Sequence, residues 1–222
     1  MRVIRRCLLF AAAAGLVLAA AASASQGDPK KVIIPAVQAK AKAINVRLSD
    51  LPKAGWVVKP ASSGGSAPRC SYYEPDQSDL TENGDADSPE FTLSSGSFVS
   101  STTGIFKTAA QGRTGYSRVI QPELPKCLAE IFKKGTGQPA KVTIVSAAAM
   151  QFPQLAERTN AYRIVADFKA SATQTVRVYL DVVTMNRGKV DVAIFFTGIG
   201  SAFASAVERS VATKVAARMK TA

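Results

Sequence analysis

The chain has 222 residues, 28 of them basic and 16 acidic, and it contains no histidine. That last fact excludes a Ser-His-Asp triad, a Cys-His pair and a histidine-ligated zinc centre. A hydrophobic share of 47% is enough for one substantial core. The net charge of +12 favours anionic surfaces such as wall polymer or lipid headgroups. Nucleic acid is not expected, because aromatic residues are not interleaved with the basic ones as a base-stacking platform requires.

Residues 1–24 carry the pattern of a secretory signal peptide. Arg2, Arg5 and Arg6 form a positive start, LLFAAAAGLVLAAAA is the apolar stretch, and Ala22-Ser23-Ala24 offers a cleavage site. An apolar run of about 15 residues is short of the roughly 20 that a membrane span needs. The reading is therefore a secreted or envelope-associated, extracytoplasmic monomer with no membrane span once the signal is removed. Arg5-Arg6 also fits a twin-arginine signal, although such pairs are common in ordinary signals. Cys7 leaves with the signal, so Cys70 and Cys127 have only each other to pair with. An exported setting favours that disulfide. Closing so long a loop is worth roughly 4 kcal/mol on the chain-entropy estimate.

Residues 25–36 read as a polar lead-in, and residues 37–222 as one α+β domain. The string VQAKAKAINVRL places Val37, Ala41, Ile44 and Leu48 at helical spacing, with an end expected near Pro52. ASSGGSAPRC, at 61–70, is a loop. EFTLSSGSFVSSTTGIFKT reads as two strands turned at Ser95-Gly96. Helices are expected at 107–120 and 123–134, the second bringing Cys127, Leu128, Ile131 and Phe132 onto one inward face. Four segments with strand alternation follow: KVTIVSAAAM, AYRIVADFKA, QTVRVYLDVVTM and VDVAIFFTGIG, the last two forming a hairpin at Asn186-Arg187-Gly188. The chain closes with a helix capped by Ser201 and striped by Phe203, Val207, Val211, Val215 and Met219. Hairpin strands with helices before and after them predict an antiparallel, curved sheet flanked by helices.

The stretch DLTENGDADSPE, residues 79–90, nearly matches a calcium loop. Asp79, Asn83, Gly84 and Glu90 fall on ligand or turn positions, and Thr81 misses. Pro89 and the strand pattern after Glu90 deny it the exiting helix that such a loop requires. It reads as an acidic hairpin turning at Asn83-Gly84, and no metal is assigned. GIGSAF, from Gly198, lacks the third glycine of a dinucleotide turn, so no cofactor is assigned either. Asp167, Asp181 and Asp191 fall singly on strands, where no spacing pairs them for hydrolysis. The aromatics with a polar handle are the candidate ligand contacts: Trp56, Tyr72, Tyr73 and Tyr116, with Tyr162 and Tyr179 behind them. Tyr72-Tyr73 leads because Cys70 would anchor its loop.

The segments RLSDLPKAGW, RCSYYEPDQSDLTENGDADSPEF, VSSTTGIFKTAAQ and KCLAEIF together resemble a group of uncharacterised exported actinobacterial proteins. More distantly they are similar to PsbP-like lipoproteins and to the extracellular sensor domains of mycobacterial kinases. The resemblance implies a curved antiparallel sheet with helices and a ligand- or partner-binding role outside the membrane. It transfers no catalytic residue. The reading is an exported, non-catalytic binding or envelope-associated module for a small or lipidic ligand, an anionic envelope component or a protein partner. The alternative is a histidine-free hydrolase using carboxylates.

Overall fold

Proline sets the way the chain enters the domain. A computed structural model describes residues 27–52, 55–61 and 67–221, so the signal-peptide reading of residues 1–24 lies outside the described residues. A short strand, Lys30–Lys31 (β1), precedes helix Pro35–Ile44 (α1), which has proline in its first turn. The fixed φ of proline suits that position. The helix stops earlier than its apolar spacing suggests, because Asn45 is recruited into the sheet. Its Nδ2 donates to the Ala86 carbonyl at 2.7 Å, and its Oδ1 accepts from the Ser101 and Thr103 hydroxyls at 2.9 and 2.7 Å. Leu48 is consequently exposed, at the start of a short 3-10 turn over Leu48–Asp50.

The strands Val57–Lys59 (β2), Thr81–Asp87 (β3), Glu90–Thr92 (β4) and Phe98–Phe106 (β5) form one end of the sheet. The acidic stretch does not turn at Asn83-Gly84. It runs on as β3, with a bulge between Glu82 and Gly84. Gly84 answers a steric demand instead: a Cβ there would sit 2.8 Å from the Val37 carbonyl oxygen of α1. The turn expected at Ser95-Gly96 does form, with Gly96 at φ +85° between β4 and β5.

Helices Ala109–Val119 (α2) and Leu124–Gly135 (α3) follow, then the strands Val142–Ala149 (β6), Arg158–Lys169 (β7), Thr175–Arg187 (β8) and Val190–Ile199 (β9). The last helix, Ser205–Arg218 (α4), begins four residues after the cap expected at Ser201. The chain first folds back over Gly198, where any Cβ would strike the Ser201 carbonyl. It then stays extended so that Phe203 can pack against Trp56 and Phe196.

The result is an α+β fold with four helices and an open nine-stranded sheet, mostly antiparallel. The strand order is β1-β3-β5-β9-β8-β7-β6, with β4 pairing both β2 and β5, and β1 lying parallel to β3. On one face α1 and α4 cover Val99, Val183, Met185, Ile194 and Phe196. On the other, α3 packs on Ile164, Ala166, Leu180 and Val182, and α2 covers the middle of the sheet. Cys70 and Cys127 form the expected disulfide, with their Cα atoms 5.7 Å apart.

Arg218, at the end of α4, ties both ends of the domain together. Its Nε donates to the Ile44 carbonyl and its Nη2 to the Asn45 carbonyl, both at 2.9 Å. The same guanidinium grips Asp50 with two bonds, at 3.0 and 2.7 Å. Burial raises the Asp50 carboxyl pKa, but bonds from Arg218 and the Arg47 N–H outweigh it and hold the group below the usual carboxylate range. Arg218→Leu leaves Asp50 buried and unpaired, which costs about 3 kcal/mol. Thermal unfolding at neutral pH should show Tm lowered by roughly 6–12 °C. An unchanged Tm would mean that the clasp contributes nothing.

Candidate functional site

An open depression of about 580 Å³ lies where the loop after Cys70 meets the corner between α2 and α3. Its walls carry Tyr72, Glu74, Asp76, Asp79, Arg118 and Glu123. Two opposing backbone bonds between Cys70 and Tyr73, at 2.8 and 3.0 Å, shape the first wall. The Tyr73 ring is buried beside Leu124, Cys127 and Tyr162, and its hydroxyl donates to the Val119 carbonyl. Burial pushes that hydroxyl far above the ordinary tyrosine range. Tyr73 is thus the floor of the depression, and Tyr72, 40% exposed, is its rim.

The electrostatics of this hollow invert those of the chain, since four carboxylates there meet one guanidinium. Arg118 pairs with both oxygens of Asp79 and also donates to the Asp76 carbonyl at 2.8 Å. The hydrogen bond from Arg118 lowers the Asp79 carboxyl pKa, and bonds from Ser78 lower that of Asp76. The Glu74 and Glu123 side chains make no hydrogen bond or ion pair among the described residues. The Tyr72 ring already receives a cation, because the Lys126 ammonium lies 4.4 Å from its centroid.

The four aromatics singled out from sequence do not converge. Tyr72 and Tyr73 share the hollow. Trp56 stacks on Phe203 with centroids 6.4 Å apart and donates its indole N–H to the Pro52 carbonyl at 3.0 Å, so it walls the core under α4. Tyr116 is buried, its hydroxyl within 3.1 Å of the Thr184 carbonyl while accepting from Asn160 Nδ2 at 2.9 Å. Sequence reasoning missed Glu74, Asp76, Arg118 and Glu123 as a group. The available signal was the run EPDQSD beside the tyrosine pair, three acids in six residues of a basic chain.

Three further carboxyls lie away from the hollow and hold unusual protons. The bulge in β3 turns Glu82 onto the face of Gly104, where a Cβ would overlap its carboxylate, and Gly104 pairs in register with Asp191. Burial, with help from the Asp85 and Asp191 charges, pushes Glu82 up to about 8. Burial likewise pushes Asp191 up to about 8, against a 2.6 Å bond from Asn186 Nδ2 and the charge of Arg158. Under α4, Glu208 is fully buried and neither of its oxygens has a conventional partner. Burial and the neighbouring Asp181 raise its pKa well above the carboxylate range. Arg163 spends its guanidinium on Asp181, with two bonds of 2.6 Å, and stands 3.9 Å from Glu208. A protonated Glu208 donating to Asp181 resolves the conflict. Glu82 and Asp191 are the carboxyls a histidine-free hydrolase would draw on, and neither lines the hollow.

Among the described residues no group of three or more His, Cys, Asp or Glu side chains is placed to hold a metal ion. No family model and no curated protein matches the chain.

The raised carboxyls link folding to pH. Each releases its proton near 4 when unfolded and only at alkaline pH when folded, so the folded chain binds more protons over that window. The stability they contribute is complete below the unfolded pKa and is lost as pH rises through about 8. The protein should therefore melt higher at pH 5.5 than at pH 8.5, by on the order of 5 °C or more. Glu208→Gln, whose amide can donate to Asp181 permanently, should raise Tm at pH 8.5 and flatten the profile. A pH-independent Tm would show that these groups are charged in the folded chain.

Proposed function

We propose that the protein is an extracytoplasmic, non-catalytic binding module whose hollow takes a cationic group, an ammonium or guanidinium borne by a small molecule or a partner protein. One observation carries the reading: four carboxylates and an exposed tyrosine ring line a hollow of about 580 Å³ on a chain of net charge +12. That volume is ordinary for a ligand site. A cation entering it relieves repulsion among four carboxylates that share a single guanidinium, the Glu74 and Glu123 side chains having no partner among the described residues. The Cys70–Cys127 bridge and the Tyr73–Val119 bond fix the walls, so little ordering is required on binding.

Spermidine and a trilysine peptide, titrated by calorimetry at low salt, should bind, whereas the fully acetylated peptide should not. The double variant Asp76→Asn, Glu123→Gln should weaken binding about tenfold, and molar salt should remove most of it. Silence with both probes at millimolar concentration, or equal binding of the acetylated peptide, would overturn the reading.

A further inference from the structure

From Pro29 to Ser49 the chain has four lysines, one arginine and no acidic residue. Its first part is a rigid tip. The N–H groups of Lys30, Val32 and Ile34 donate to the carbonyls of Leu80, Glu82 and Asn83, each at 2.9 Å. With the backbone sewn to β3 in this way, Val32, Ile33 and Ile34 stay 47%, 46% and 42% exposed. Pro35 and Ala36 extend the apolar surface into α1. Three consecutive large aliphatics held outward on fixed backbone bury little in this fold, and scattered exposure does not account for them. Lys30 precedes the tip, and Lys40 and Lys42 follow it on α1. All three are exposed, and none forms an ion pair among the described residues. Lys31 differs, being held by Asp85.

We propose that this tip docks on an anionic lipid bilayer, with Val32, Ile33 and Ile34 entering the headgroup–acyl boundary and Lys30, Lys40 and Lys42 meeting the lipid phosphates. The two halves of the patch together select this partner. A soluble anionic polymer would satisfy the lysines and leave the aliphatics in water. A neutral apolar partner would bury the aliphatics and waste the lysines. An anionic interface satisfies both, which is how peripheral anchors combine apolar insertion with basic residues. Among the described residues no helix is long and apolar enough to cross a membrane, so this contact lies in the interface plane. The inference does not depend on the hollow, whose lining residues are different.

The test uses the chain as its host releases it, with its N-terminus defined by mass spectrometry. Co-sedimentation is measured with phosphatidylglycerol–phosphatidylcholine vesicles, with phosphatidylcholine vesicles, and with soluble polyphosphate as competitor. Binding to the anionic vesicles at low salt is expected, and little to the neutral ones. Ile33→Asp should lower the partition coefficient about tenfold or more. Lys40→Glu with Lys42→Glu should lower it at least as far and flatten its salt dependence. Val32→Ser with Ile33→Ser should reproduce the aliphatic loss without adding charge, and all variants should keep the parent Tm because the altered side chains are exposed. Unchanged partition in the aliphatic variants, or full displacement by polyphosphate with indifference to Ile33, would overturn the bilayer in favour of an anionic polymer. Failure to bind anionic vesicles would overturn the proposal outright.

Discussion

Arg218 is the residue on which the arrangement of this domain turns. It lies near the C-terminal end of the chain, yet it satisfies the carbonyls of Ile44 and Asn45 that the end of α1 leaves open. In the same reach it neutralises Asp50, whose backbone carbonyl also accepts from Lys214 of α4 at 2.9 Å. The end of α1 is thereby fixed over the sheet, with Asn45 set among Ala86, Ser101 and Thr103. At its other end the first turn of α1 crosses β3, where a Cβ at position 84 would sit 2.8 Å from the Val37 carbonyl oxygen and only glycine fits. The bulge beside Gly84 then turns Glu82 to the opposite face, towards Gly104 and Asp191.

Burial and the availability of a charged or N–H partner separate the acids of this chain, and Asp50 is buried but held charged by Arg218 and the Arg47 N–H. Glu82, Asp191 and Glu208 are pushed towards neutrality by desolvation. Asp76 and Asp79, at the surface, are held in their charged form by hydrogen bonds from Ser78 and Arg118. At neutral pH the folded chain therefore carries fewer negative charges than its formal count suggests, and those that remain are concentrated partly in the hollow. The exterior becomes more strongly basic while the hollow keeps its negative sign. The proposed attraction to anionic surfaces and the proposed retention of a cation are then compatible within one distribution of protons.

The regular elements were legible where a single physical pattern dominated. Strand alternation in residues 142–199 and the Val211–Val215–Met219 stripe report directly which side faces the core, and the sheet and α4 follow them. The disulfide was legible by elimination, since loss of Cys7 with the expected signal peptide would leave two cysteines and one pairing. What failed was local propensity in the face of tertiary contact. Asn83-Gly84 has the residues of a turn, but the glycine is there for the backbone of α1. Ser201 has the chemistry of a cap, but Gly198 and Phe203 require a fold-back and an extended entry first. The site was half legible for a similar reason. A tyrosine or tryptophan can direct its polar handle to solvent or inward, and Tyr116 and Trp56 direct theirs to Thr184 and Pro52. Only topology brings residues 74–79 against 118–123.

Those two walls are joined at three points of different chemistry. The disulfide links Cys70 to Cys127, Tyr73 bonds the Val119 carbonyl, and Arg118 reaches back to Asp79 and the Asp76 carbonyl. One wall continues directly into β3, and the residue after Asp79 supplies the carbonyl that fixes Lys30. The acidic hollow and the aliphatic tip are therefore mounted on the same short run of backbone, on either side of Leu80. An anionic bilayer draws cations from solution into its surface layer within about a Debye length. A tip docked there would hold the hollow beside that layer, where a cationic group is most concentrated. Local enrichment then lets a shallow, open site be occupied without the deep enclosure that high intrinsic affinity demands.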